Sequence, residues 1–115
     1  MDVQKIIDDY KQYFITKDDS YFEAWEIVND LVFNDPEKAW QILLEMIQET
    51  DDKSYLSFLG AGPLEDLLVY HGKNFIERIE NEAKHNKNFL FALKCVWQNN
   101  MLPKIWNKVA TICVG

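Results

Sequence analysis

Apolar residues recur along nearly the whole chain at the spacing of a helix. Val3, Ile6, Ile7, Tyr10 and Phe14 fall at i, i+3, i+4, i+7 and i+11 and predict a first helix with a single buried stripe. Ser20 followed by Glu23 is the signature of a capping box and predicts the start of a second helix, with Tyr21, Ala24, Trp25, Val28 and Val32 inward. Asn34-Asp35-Pro36 ends that helix and opens a third, with Asp35 as N-cap and Pro36 in the first turn. Ala39, Trp40, Leu43, Met46 and Ile47 form its stripe. A short apolar run (Tyr55, Leu56, Phe58, Leu59) then reaches Gly60-Ala61-Gly62-Pro63, which predicts a tight bend and a fresh helix at Pro63. Leu64, Leu67 and Leu68 carry that helix to His71-Gly72, where Gly72 is placed to terminate it. Phe75, Ile76, Ile79 and Ala83 predict the next helix, and Asn86 to Asn88 a turn. Residues 89–97 are apolar nearly all round and predict a central, most buried helix. Asn99-Asn100 breaks it, and Pro103 opens a last helix with Ile105, Trp106, Val109 and Cys113 on one face.

The pattern therefore predicts an all-α fold of six or seven short helices. Short connections make sequential helices antiparallel neighbours. Ala24-Trp25 recurs as Ala39-Trp40 in consecutive helices, a faint repeat that favours a small HEAT-like solenoid. A compact helical bundle fits the same pattern. At 115 residues the expectation is a single domain spanning 1–115, large enough to bury a core without staples. Gly and Pro number only four and three, which disfavours a sheet-rich fold with many tight turns. The N-terminal MDVQKIIDDY lacks a basic region followed by an apolar one, so it does not read as a signal peptide, and no apolar run is long enough to span a membrane. Cys95 and Cys113 sit within apolar patterns and read as free thiols in a reducing compartment, which points to the cytoplasm.

Charge changes the picture, because it is divided along the chain. Residues 1–52 carry fourteen Asp and Glu against four Lys, a net of −10. Residues 67–115 carry seven Lys and Arg against three Glu, a net of +4. An acidic half repels phosphates and steers association with cationic surfaces. On the second helix Glu23, Glu26 and Asp30 fall opposite the apolar stripe. On the third, Glu37, Glu45 and Glu49 form a similar outward row. These six are the candidate partner-binding residues, and the grouping of like charges, which costs some stability through self-repulsion, argues for a use.

The densest chemical cluster is Glu65, Asp66, Tyr70 and His71. Asp66 and Tyr70 share a helix face at i, i+4, and a carboxylate beside His71 can orient an imidazole. The structural reading competes: acids in a first helical turn complement the dipole, and His71 continues the Leu64–Leu68 stripe. This cluster is a secondary site candidate, and no catalytic residue is assigned. His71, His85, Cys95 and Cys113 match no zinc spacing. No phosphate-binding glycine loop and no Gly-x-Ser-x-Gly elbow is present, so neither metal nor cofactor is expected. Lys84, Lys87, Lys94, Lys104 and Lys108 lie among Phe89, Trp97 and Trp106, a mixture that suits single-stranded nucleic acid. Those aromatics fall on core stripes, however, and the chain as a whole is acidic, which argues against a nucleic-acid binder.

Trp25, Asp35-Pro36-Glu37, Ala39-Trp40, Ala61-Gly62-Pro63-Leu64-Glu65-Asp66-Leu67-Leu68, His71-Gly72, Phe89, Ala92-Leu93 and Val96-Trp97 resemble an uncharacterised family of small bacterial helical domains. The likeness covers roughly residues 20–98, is most specific at the Gly-Pro-Leu-Glu-Asp-Leu-Leu segment, and implies an all-helical bacterial protein without assigning an activity. In type, small acidic helical proteins of this kind are similar to immunity proteins of bacterial toxin systems. The functional expectation is a monomeric, non-enzymatic immunity-type protein whose acidic surface neutralises a basic toxin domain, most naturally a nuclease. A small helical adaptor without a toxin partner is the alternative.

Overall fold

The computed structural model describes residues 1–114, and all the regular structure among them is helical. Helix α1 spans Val3–Thr16, α2 Phe22–Asn34, α3 Pro36–Gln48, α4 Lys53–Leu59, α5 Glu65–His85, α6 Lys87–Lys94 and α7 Pro103–Val114. Several starts follow from short polar side chains that satisfy the first free amides. The Asp2 carboxylate accepts from the Lys5 N–H, Asp35 from Lys38, Asp52 from Ser54 and Tyr55, and the Asn86 side chain from Phe89. Helix α1 ends on Lys17 in the left-handed region, at φ 58°.

Three sequence expectations change. The Ser20–Glu23 capping box does not form. Asp18 accepts from both the amide and the hydroxyl of Ser20, turning 19–21 into a single 3-10 turn, and α2 begins only at Phe22. The Ser20 hydroxyl is spent on Asp18, and α2 starts after Tyr21 with no side-chain cap.

Residues 60–63 do not bend the chain into a new helix. Gly60–Leu64 form a π-helical segment that joins α4 to α5 without leaving helical backbone angles. The wider π turn absorbs Pro63, whose missing N–H and bulky ring would break a tight α turn. The helix end expected at His71-Gly72 is present as a kink: His71 leaves helical angles (φ −135°, ψ 23°) and divides α5 in two, although Gly72 lacks the positive φ of a terminating cap. Gly72 is small for another reason: a Cβ there would come within 3.0 Å of the Ile105 side chain on α7.

The third change concerns residues 89–97. Helix α6 stops at Lys94, and although Phe89, Ala92 and Leu93 are buried, Trp97 lies beyond the helix and is 71% exposed. Trp97 therefore does not fall on a core stripe, because the helix that would turn it inward ends three residues before it.

Packing decides between solenoid and bundle. In a solenoid each unit touches only its neighbours. Here α6 packs on α3, α4, α5 and α7, and α5 on α2, α6 and α7. The radius of gyration is 13.4 Å, against about 13 Å for a compact domain of 100 residues. The fold is a compact helical bundle. Its centre is an aromatic junction in which Trp40 of α3 meets Phe75 of α5 and Phe89 of α6, at 5.8 and 5.7 Å between ring centroids. A second cluster joins α1 to α4 through Tyr10, Phe14, Tyr55 and Phe58.

Candidate partner-binding surface

Helix α2 buries Ala24, Val28, Leu31 and Val32, which turns Glu23, Glu26 and Asp30 outward. Helix α3 buries Ala39, Trp40, Leu43, Met46 and Ile47 and leaves Glu37, Glu45 and Glu49 exposed. All six candidate acids are thus on the surface, and the spacing argument locates each correctly with respect to its own helix.

Their surroundings differ. Glu37 is clamped by Arg78 of α5 through two parallel hydrogen bonds of 2.8 Å, and the guanidinium holds its carboxyl below the ordinary range. Asp30 accepts from the Asn34 side chain. Glu23 shares a cleft of about 310 Å³ with Asp2, Lys5 and Asp9 of α1. Glu49 lies on the other flank of α1, within 3.4 Å of the Gln4 amide and lining a small hollow with Asp8 and Lys11. Three ion pairs occur among the described residues: Lys5–Asp9, Arg78–Glu37 and Lys108–Glu80. Of the six acids, only Glu37 is neutralised in this way.

Sequence reasoning did not single out Asp2, Asp8 and Asp9. They sit on the two flanks of α1, beside Glu23 and Glu49. The signal was present in the polar positions of α1, but it becomes meaningful only when α1 is known to pack against both α2 and α3.

The second candidate cluster separates in space. Glu65 and Asp66 are adjacent in sequence, so about 100° of helical rotation sends them different ways. Glu65 is only 7% exposed and accepts from the Trp97 N–H at 2.8 Å and from the Asn99 side-chain amide. Glu65 opens α5, as expected of an acid in a first turn, but the π segment before it continues the helical path, and its carboxylate serves to pin the loop between α6 and α7. Asp66 is half-buried on the side of Tyr10. Burial of the Tyr10 phenol, aided by Tyr55 and Asp66, raises its pKa far above the ordinary value. Tyr70 is half exposed and lies against Phe33 of α2, with centroids 4.3 Å apart. His71 occupies the kink, and its Nε2 is buried without a hydrogen-bond partner. Tyr70 and His71 border one hollow of about 210 Å³, which Glu65 and Asp66 do not line. Among the described residues no group of three or more His, Cys, Asp or Glu is placed to hold a metal ion, and no helix is long and apolar enough to cross a membrane.

Burial, and then the neighbouring Glu65, raise the pKa of Asp66. Folding therefore favours its protonated form. The associated stability is present below the unfolded pKa and is lost as pH rises through the folded one. Asp66→Asn removes the buried charge while keeping the shape. The variant is expected to melt higher than the parent at pH 7, with the gap closing as pH falls through the carboxylate range. Thermal melts across that range test this, and a constant gap would contradict it.

The sequence model of a family described as a family of unknown function (DUF6869) matches residues 14–114. The chain belongs to that family. The DUF6869 match begins within α1 and takes in every other helix, so the bundle described here is a DUF6869 bundle. No curated protein and no solved structure matches the chain.

Proposed function

We propose that this DUF6869 domain is a protein-binding module of the immunity type, which neutralises a basic toxin domain by covering its cationic site. The observation that carries the reading is the set Glu23, Glu26, Asp30, Glu45 and Glu49, all exposed and none in an ion pair among the described residues. A nuclease has to hold phosphates and therefore presents positive charge. An acidic helical surface imitates the charge of its substrate, and the uncompensated field accelerates encounter. The free thiols of Cys95 and Cys113 suit a monomer working in the cytoplasm, where a bacterium meets an incoming toxin.

Reversing three charges together (Glu23→Lys, Glu26→Lys, Asp30→Lys) is expected to slow association with a basic nuclease toxin domain roughly tenfold or more at low salt, with the difference shrinking as salt rises. Stopped-flow association rates measure this. An unchanged on-rate at low salt removes the reading.

One observation favours an adaptor without a toxin partner. Phe33 and Tyr70 form an exposed aromatic pair, 51% and 52% accessible, on a surface otherwise rich in charge. If Phe33→Ser abolishes capture of a partner that the triple charge reversal leaves untouched, the adaptor reading stands in place of the first.

A further inference from the structure

The C-terminal half carries a feature of opposite sign. A groove of about 660 Å³ runs between α5 and α7. Ile76, Leu102 and Ile105 give it apolar walls, and its rim is cationic. Four lysines and two glutamates line it, a net of +2 on a chain whose total is −7. Glu80 is already engaged by Lys108 at 3.4 Å, whereas Lys73 and Lys104 near the start of α7, and Lys84 farther along α5, take part in no ion pair among the described residues. A second hollow of about 450 Å³ shares Glu80 and Lys84 with the groove and extends it past Leu90 and Ile112. The rise of α5 from Lys73 to Lys84 makes the channel roughly 16 Å long.

We propose that this groove binds a single-headed amphipathic anion, an alkyl carboxylate, with its head between Lys73 and Lys104 and its chain along Ile76 and Ile105 toward Ile112. The volume lies in the range of small-molecule sites, which combine apolar walls with a few polar groups that fix the ligand's orientation. A hydrophilic anion would leave the apolar walls uncovered. A neutral chain would leave Lys73 and Lys104 unanswered. An acidic peptide would bring further charges past Glu77, which lines the same groove and is in no ion pair among the described residues. A ligand with one charge at one end passes Glu77 with its alkyl part.

The test is titration of the intact domain with dodecanoate below its micelle concentration, followed by amide NMR shifts and calorimetry. Saturable shifts centred on Lys73, Ile76, Lys104 and Ile105 are expected. Dodecanol should bind at least tenfold more weakly, since it lacks the charge. The double variant Lys73→Ala with Lys104→Ala should weaken dodecanoate by a similar factor, and because both side chains are exposed it should keep the parental melting curve. Equal binding of dodecanol and dodecanoate overturns the proposal, as does full affinity in the double variant or shifts scattered over the whole chain. An acidic peptide that produces the same shifts where dodecanoate does not would assign the groove to a protein partner, and a ligand-free rise in molecular mass with concentration would assign it to a second copy. Either result also overturns it.

Discussion

Gly60→Ala is expected to destabilise the fold by about 3 kcal/mol, near the top of the usual range for overpacking. In a chain of this length that lowers the melting midpoint by roughly 10 °C. Helix propensity alone predicts the opposite sign, because glycine inside a helix costs up to about 1 kcal/mol relative to alanine. Packing reverses it. A Cβ on Gly60 would lie 2.0 Å from the Ala92 carbonyl oxygen and 2.9 Å from its carbon. These are backbone atoms of α6, so no side chain can swing aside, and α6 would have to move away from the junction of α4 and α5. Gly62, two residues on in the same π segment, is the internal control. A Cβ there meets only the Tyr10 hydroxyl, at an ordinary 3.9 Å. Gly62→Ala should therefore be neutral or stabilising by up to about 1 kcal/mol. Parallel urea unfolding of the two variants decides the matter, and a Gly60→Ala protein as stable as Gly62→Ala would refute the close approach of α6.

Glu65→Ala should cost about 2–3 kcal/mol, the scale for stranding groups that were hydrogen-bonded to a buried charge. The carboxylate takes the Trp97 N–H with one oxygen and the Asn99 amide with the other, across more than thirty residues of sequence. Asn99 sits at φ 45°, a conformation a non-glycine residue adopts at some cost, and its bond to Glu65 helps to hold it there. Without the carboxylate the loop between α6 and α7 loses its anchor, and α7 loses a fixed route back onto α5. Glu65→Gln should recover at least half of the loss. One amide oxygen still accepts from Trp97, and Asn99 can turn its own oxygen toward the new NH₂ group. Urea unfolding gives the stabilities, and hydrogen exchange at the Trp97 amide reports the anchor directly. An exchange rate unchanged in Glu65→Ala would rule out the anchoring role.

Much of the fold was legible because local rules wrote it. Asp35 and Pro36 act just as their types predict, and the stripes on α1, α2 and α3 point inward as the spacing required. The errors share a cause. The Gly60–Pro63 segment carries turn chemistry in isolation yet lies in a continuous helical path, and Gly72 follows a kink without acting as a cap, because small residues there answer to α6 and α7 pressing against the backbone. A glycine that permits a turn and a glycine that permits close approach look identical in sequence. The acidic rows were readable for the same reason as the stripes: a helix that buries one face exposes the other. Their neighbours on α1 were not readable, since adjacency between helices is a tertiary property.

By itself, then, the chain determines its class, the faces of its first three helices and the uneven division of its charge, all of which depend on spacing within a few turns. Only the tertiary structure decides that the helices close into a bundle, that Glu65 ties down a distant loop, that Glu37 is claimed by Arg78, and that lysines border an apolar groove between α5 and α7. Each of these depends on contacts between residues far apart in sequence, and their energies arise only when packing excludes water and brings the partners within bonding distance.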